Sequence, residues 1–533
     1  MSTRLLLALV AALLLLRLPS LVQPMGPDQG LYAYVGDRIL HGELAYRDAW
    51  DQKPPGIHYI YAGLRALSHR DLVVPAADLA AAALVAALLW AIGSSIAGPL
   101  AGGLSAALFL LLSDPSLARY GGVRVRAQGE TFIGLAVAGA VALIVVGAGG
   151  AKGAKGAKGA GAKGAGGAGG AGGAVVLAGI LVGAAFSIKY NAGLYAIVVL
   201  AGLAVAGQLT LRNVVLLALG GLIIPLTLFV VFWRGVALND LYQATIAYNV
   251  QYSGETYAGP LDMARYLVKF PIEHARVDAL WFLGGLGCVV VLPAGYWRRA
   301  AWIPLAWVAV ACVSIVINGS RNLPQYFVQA APALALAAGV AWALAMPRLP
   351  KAIQWAVAIV LAIFVWRAGD DPFPKLARNV WQDARYAIGR VDRRIHLARF
   401  GGRDVDKYSA LDNADLGAFF AAHTRPDEPV YVFGYSPASY VYAERRSASR
   451  FFWSRPVIVD FNRGDPSYGV AGLAADLARS SPAYIALQMH DWPDVGDSGP
   501  FFLSQPALVE RLNGSYHQVP AIEGFQMWER NGR

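Results

Sequence analysis

Runs of about 16–24 apolar residues recur from Leu5 to Trp366, broken by short polar stretches. As a helix, each run is long enough to cross a hydrocarbon core roughly 30 Å thick. The pattern predicts about eleven spans, near 5–23, 72–93, 96–113, 129–148, 174–188, 191–207, 214–233, 277–296, 301–317, 327–346 and 352–366. The first reads as an uncleaved anchor, because Arg17 interrupts it and no small-x-small cleavage site follows. From Arg367 the pattern changes: charges become frequent and no spanning run follows. Helical and alternating stretches succeed one another there. They predict a helix near Ala410–His423, a strand at Pro429–Gly434, a helix at Ala471–Ala478, a strand at Ala483–Leu487 and paired strands within Tyr516–Glu529. The expected architecture is a polytopic α-helical membrane domain, 1–367, followed by a soluble, layered α/β domain, 368–533.

Composition agrees, with 56% hydrophobic and 15% charged residues and a mean hydropathy of +0.46. The net charge of +11 does not point to nucleic acid, because the basic residues sit in short loops between spans, where they set orientation. With the N-terminus cytoplasmic, the inner loops hold Lys152, Lys155, Lys158, Lys163, Arg212, Arg298, Arg299, Arg348 and Lys351. This assignment puts 24–71, 235–276 and the C-terminal domain on the outer face of a cytoplasmic membrane. The Lys/Gly/Ala-rich stretch 149–173 is expected to be a flexible cytoplasmic linker that can rest on anionic lipid. Cys288 and Cys312 both fall inside predicted spans and read as small core residues, not as a disulfide or zinc framework.

The candidate chemistry lies on the outer face. The loop 24–71 carries Asp28, Asp37, Glu43, Asp48, Asp51 and Lys53, and ionisable groups at a membrane edge mark a functional site by default. Four clusters stand out: Asp28, Gln29 and Tyr32; Trp50-Asp51-Gln52-Lys53-Pro54-Pro55; Arg124, Arg126 and Glu130; and Arg321 with Gln325, Tyr326 and Gln329. Lys189, at the outer end of a span, can join them. His41 and His58 lie near acidic residues, so a divalent cation is compatible with the loop, but no spacing specifies one.

In order along the chain stand PDQGLYAYVGDRIL, YRDAWDQKPPG, AQGETF and GSRNLPQYFVQAAP. This series resembles the GT-C glycosyltransferases, in the bacterial branch that includes protein O-mannosyltransferases and the lipid A aminoarabinose transferase. Gln29 stands where the mannosyltransferases carry an acidic residue, and Gln325 where relatives often have His. The resemblance implies transfer of a sugar from a polyprenyl-phosphate carrier to a lipid, glycan or protein acceptor, with inversion at the anomeric carbon. The residue types suit that step. Asp28 can accept the acceptor's proton. Lys53 and Arg321 can hold the leaving phosphate, with Lys189, Arg124 and Arg126 as further cations. Glu130 can orient the acceptor or position a cation, while Gln29, Tyr32, Asp51, Tyr326 and Gln329 line the substrate. The alternative is a lipid or glycan transporter or flippase. That class is built from paired repeats with midplane sites, whereas no internal repeat is visible and the charges gather at one face.

Overall fold

The computed structural model describes residues 2–117, 122–156, 169–254, 256–319, 323–367, 372–401, 408–491 and 496–533. The chain divides into two compact units. One comprises Met1–Leu21, Pro75–Val230 and Gln251–Trp381; the other comprises Val22–Val74, Val231–Val250 and Gln382–Arg533. The segment 22–74 clusters with the C-terminal residues, not with the apolar helices.

The first unit is built from apolar helices. Among the described residues seven helices are long and apolar enough to cross a membrane: Thr3–Val22, Val73–Ala97, Gly129–Gly147, Leu211–Arg234, Ala279–Tyr296, Arg299–Ile317 and Pro324–Arg348. Shorter apolar helices cover Pro99–Leu112, Gly172–Ile188 and Tyr190–Ala206, and Lys351–Arg367 and Pro372–Ala387 are further helices. Each predicted apolar run is therefore a helix. Burial separates their roles: in its most apolar 18-residue stretch Pro324–Arg348 is 78% buried and Leu211–Arg234 is 11% buried, so the former sits inside the bundle and the latter presents its side chains outward. Without a hydrophobic drive between helices in lipid, small residues let backbones approach. A Cβ added at Gly179 would lie 2.3 Å from the Leu217 carbonyl oxygen, and one at Gly183 would lie 2.3 Å from that of Gly221. The helix that begins at Gly129 continues to Gly156, and another begins at Gly169. Part of the stretch expected to be a flexible linker is thus helical, since Ala and Lys favour a helix enough to extend one already nucleated.

The second unit carries a four-stranded sheet. Its strands are β1 (Tyr431–Phe433), β2 (Tyr484–Gln488), β3 (Tyr516–Ile522) and β4 (Phe525–Arg530), in the order β1-β2-β4-β3. β1 and β2 are parallel; β4 is antiparallel to both β2 and β3. All of β2 is buried, as its nearly continuous apolar sequence requires. β3 and β4 meet at Glu523-Gly524, where Gly524 has φ +82°, the left-handed conformation that a two-residue hairpin turn uses. Helices Ala410–His423 and Gly469–Ser480 flank the strands in sequence.

The segment 22–74 folds with this sheet. It supplies helices Pro27–Leu40 and Gly56–Leu67, which pack so closely that a Cβ at Gly36 would lie 2.7 Å from the Ala62 nitrogen. Trp50, fully buried, meets Trp453, Phe461 and Tyr248 with ring centroids 5.8, 6.0 and 4.9 Å away. Its backbone N–H donates to the Arg450 carbonyl at 2.8 Å, and Trp453 Nε1 donates to the Trp50 carbonyl at 3.0 Å. A buried aromatic anchor of this kind contributes a large apolar area to the core.

His396 gives this unit an acid-sensitive joint. It is buried, its ring stacks on Tyr386 at 3.8 Å, and its Nε2 lies 3.0 Å from the Val22 carbonyl oxygen. Burial pushes its pKa down to about 4 from 6.5; the Arg399 charge adds to this and the Val22 carbonyl opposes it. The unfolded chain binds the extra proton first as pH falls, so stability held above about pH 6.5 is lost progressively down to about pH 4. The unfolding midpoint of the detergent-solubilised protein should drop across this window. His396→Gln, which keeps a donor for Val22 but does not titrate, should flatten part of the drop. An unchanged slope in the variant would assign the acid lability elsewhere.

Candidate functional site

Asp28 lies in the first turn of helix Pro27–Leu40, one residue after the proline that opens it. Pro suits that position because its missing N–H would have no helical partner, and the helix N-terminus favours a carboxylate. The Asp28 carboxylate accepts a hydrogen bond from the Tyr435 hydroxyl. Tyr435 follows β1 and the glycine after it, and its backbone N–H donates to Gln488 Oε1 at 2.8 Å. Gly30 is what permits the approach, since a Cβ there would lie 2.8 Å from Ala438. The Gln29 side chain serves the helix itself, because its Oε1 accepts the Gly26 N–H at 2.6 Å, half of a capping box.

Further along the same unit, Asp51 and His58 are both buried, with His58 Nε2 3.1 Å from Asp51 Oδ2. The two atoms are close, but their geometry is not that of a hydrogen bond. Asp51 Oδ1 accepts the Gln52 N–H at 2.7 Å. Tyr32 packs its ring edge-on against His58 and Tyr61, at 5.8 and 5.3 Å. The Lys53 carbonyl accepts the Tyr46 hydroxyl at 2.8 Å. This bond and the Asp51–His58 contact fix the backbone of the Asp-Gln-Lys-Pro-Pro step on either side of the lysine. Among the described residues no three His, Cys, Asp or Glu side chains form a group that could hold a metal ion.

In the first unit, Glu130 opens helix Gly129–Gly156 and Lys189 ends helix Gly169–Ile188. Both are buried and form an ion pair. The Lys189 ammonium also lies 4.3 Å from the centroid of the Tyr326 ring, a cation–π distance. Gln329 Oε1 accepts the hydroxyls of Tyr195 at 3.0 Å and Ser314 at 2.9 Å, and its Nε2 donates to the Tyr326 carbonyl at 3.0 Å. Gln329 therefore locks the segment that presents Tyr326. Arg126 is buried and donates to the Ser20 carbonyl at 3.0 Å, with Asp78 Oδ2 4.0 Å from its Nε. Arg124 and Glu130 share a cavity of about 380 Å³ whose lining includes Asp114, Trp281 and Phe327. Arg17, 3.5 Å from Asp114, also lines it.

The structure thus brings Asp28, Tyr32, Asp51 and Lys53 into one unit and Glu130, Lys189, Tyr326, Gln329, Arg124 and Arg126 into the other. Arg321 lies outside the described residues. Two of the cations expected for phosphate, Lys189 and Arg126, each have a carboxylate opposite them. Sequence reasoning missed Tyr435. Its only local signal is the strand-glycine-turn PVYVFGYSP, which by itself is a turn without a nucleotide fingerprint.

No family model and no curated protein sequence matches the chain. Solved structures do. The crystal structure of ArnT from Cupriavidus metallidurans in the apo state aligns with a TM-score of 0.58 at 16% identity, covering 99% of this chain and 98% of that one. The same protein bound to undecaprenyl phosphate aligns at 0.56 and 17% identity, with the same coverage. The archaeal oligosaccharyltransferase AglB from Archaeoglobus fulgidus, in complex with an inhibitory peptide and a dolichol-phosphate, aligns at 0.51 and 11% identity, covering 99% of this chain and 74% of that one. From end to end, then, the chain has the GT-C-like fold of these proteins: a polytopic helical membrane protein with a mixed α/β domain at its C-terminus.

Proposed function

We propose that the chain is a membrane glycosyltransferase that takes a sugar from a polyprenyl-phosphate carrier and passes it to an acceptor hydroxyl. The observation that carries this is the end-to-end likeness to a fold solved with undecaprenyl phosphate, joined to the placement of Asp28 at a helix N-terminus with Tyr435 as its hydrogen-bond partner. In the step, the acceptor oxygen attacks the anomeric carbon as its proton passes to the Asp28 carboxylate. The bond from that carbon to the phosphate oxygen breaks, and the phosphate leaves with the electron pair. Attack from the face opposite the leaving group inverts the centre. The Tyr435 hydroxyl orients the carboxylate. Lys53 and Arg321 stabilise the charge that grows on the phosphate. Lys189, with its ion pair to Glu130, holds the Tyr326 ring in place. Gln29, by capping the helix, fixes the direction of Asp28.

The deciding assay is sugar release from a radiolabelled polyprenyl-phosphate-sugar in membranes. Lys53→Ala and Arg321→Ala should each weaken donor binding and turnover by roughly tenfold or more, since charge-assisted hydrogen bonds are the strong ones. Arg321→Lys should recover only part, because a point charge does not reproduce a bidentate grip. Donor affinity unchanged in both alanine variants would remove the phosphate roles and favour a transporter.

We also infer that the outer loop and the sheet domain face away from the cytoplasm, from the basic loops on the opposite side. Cysteines at the exposed positions Ala66 and Ala422 should react with an impermeant maleimide from outside, and one at exposed Thr210 should not. The reverse labelling pattern would put the carboxylate of Asp28 on the cytoplasmic side.

A further inference from the structure

The second unit contains a pocket that the transfer step does not use. It has a volume of about 520 Å³ and is lined by Arg47, Arg446, Arg450 and Arg479, with Asp48 and Asp476. Serine hydroxyls and the peptide backbone of 446–450 and 466–467 complete the wall. Its lining comes from two parts of the chain, the first outer loop and the C-terminal domain, which fold together within this unit.

The charges are arranged, not scattered. Asp476 accepts Arg479 at 2.8 Å and the Ser449 hydroxyl at 2.8 Å, which fixes its carboxylate. Arg450 is held hardest. Its guanidinium reaches Asp240 at 3.3 Å and the Ser467 carbonyl at 2.8 Å, and lies 4.8 and 4.4 Å from the centroids of the Phe451 and Tyr468 rings. Arg47 pairs with Asp48 at 2.8 Å, and Arg446 reaches Glu43 at 3.1 Å. A guanidinium has five N–H donors, and the only hydrogen bond that Arg479 donates among the described residues is the one to Asp476. Two of the carboxylates that hold these arginines, Asp48 and Asp476, lie in the lining, and the other two, Glu43 and Asp240, hold Arg446 and Arg450 from outside it.

We propose that this pocket binds the acceptor through an anionic sugar, one that carries a phosphate or a carboxylate. Arginine forks match the paired oxygens of either group. Asp48, Asp476 and the serine hydroxyls suit the alternating donors and acceptors of sugar hydroxyls. The volume is within the range of small-molecule sites and accommodates one or two sugar rings. A site for bare lipid phosphate would have little use for carboxylates in its wall. The inference rests on the transferase reading for the word acceptor, but the binding chemistry does not.

The test uses the full-length protein in detergent, titrated with glucose 1-phosphate, glucuronate, glucose and inorganic phosphate up to about 10 mM, the weak end of useful affinity. Glucose 1-phosphate and glucuronate should bind, and glucose and inorganic phosphate should bind about tenfold more weakly or not at all. Arg446→Gln/Arg479→Gln changes two exposed side chains, so the fold should survive, and binding of glucose 1-phosphate should fall about tenfold. Equal binding of glucose, or of inorganic phosphate, would overturn the pairing of sugar with anion. Displacement of glucose 1-phosphate by phosphatidylglycerol in the micelle would overturn it in favour of a lipid headgroup. Undiminished binding in the variant would place the anion elsewhere. Donor sugar release is measured in parallel on the unmodified protein. Release without anionic-sugar binding overturns the pocket alone, and binding without release overturns the transferase reading alone.

Discussion

Asp28→Asn will leave the protein folded and its donor affinity within a few-fold, while turnover falls by roughly 10²-fold or more. The amide keeps the shape of the carboxylate and can still accept the hydrogen bond from Tyr435, so helix Pro27–Leu40 and its contact with the sheet domain persist. What it loses is the ability to take a proton. A base acts only in the transition state, so the loss belongs in turnover and not in donor binding. Tyr435→Phe separates orientation from basicity: removing the hydroxyl should lower turnover by about tenfold, since a hydrogen bond to a charged group contributes about 1.5–3 kcal/mol. The measurement is single-turnover sugar transfer beside a donor-binding titration. Turnover of Asp28→Asn at the level of the unmodified protein would end the assignment of the base. An acceptor that is itself ionised, a phosphate for example, would give that result while leaving donor binding intact.

The second large effect concerns stability. Lys189→Met will cost about 3–5 kcal/mol, because it strands the buried carboxylate of Glu130 without its partner. Glu130→Gln/Lys189→Met should regain most of that, since two neutral side chains of similar volume carry no uncompensated charge. Unfolding midpoints of the single and double variants in detergent measure the difference. A single variant as stable as the unmodified protein would mean that Glu130 is readily neutralised or hydrated. The double variant also addresses chemistry. If it is stable yet loses sugar transfer, the pair acts on the substrate; if it keeps transfer, the pair serves the fold.

Much of the architecture is legible in the sequence because lipid imposes it. A backbone that crosses hydrocarbon must satisfy its own hydrogen bonds, so every apolar run is a helix, from Thr3–Val22 to Lys351–Arg367. In the C-terminal domain the helix Ala410–His423 is readable to the residue, since Ser409 caps it by accepting the Asp412 N–H. The strand expected at Pro429–Gly434 contracts to Tyr431–Phe433, because Pro429 has no N–H to give and Gly434 turns the chain away. The site is less legible, for a reason of distance. Tyr435 and Asp28 are 407 positions apart, and no local spacing signals such a contact. Gln29 carries a signal that is readable: it stands three residues after Gly26, the spacing of a capping box. Lys189 and Arg126 look from the sequence like cations awaiting a phosphate, because sequence shows charge but not its neighbours. Each faces a carboxylate from another helix.

The contact between Asp28 and Tyr435 also has a consequence in time. A ribosome adds about 5–20 residues per second, so roughly 20–80 seconds separate the synthesis of the carboxylate from that of the hydroxyl that orients it. Throughout that interval the first outer loop exists without the sheet domain that covers Trp50 and abuts Gly30. Trp50 must wait for Trp453 and Phe461, two rings not yet made.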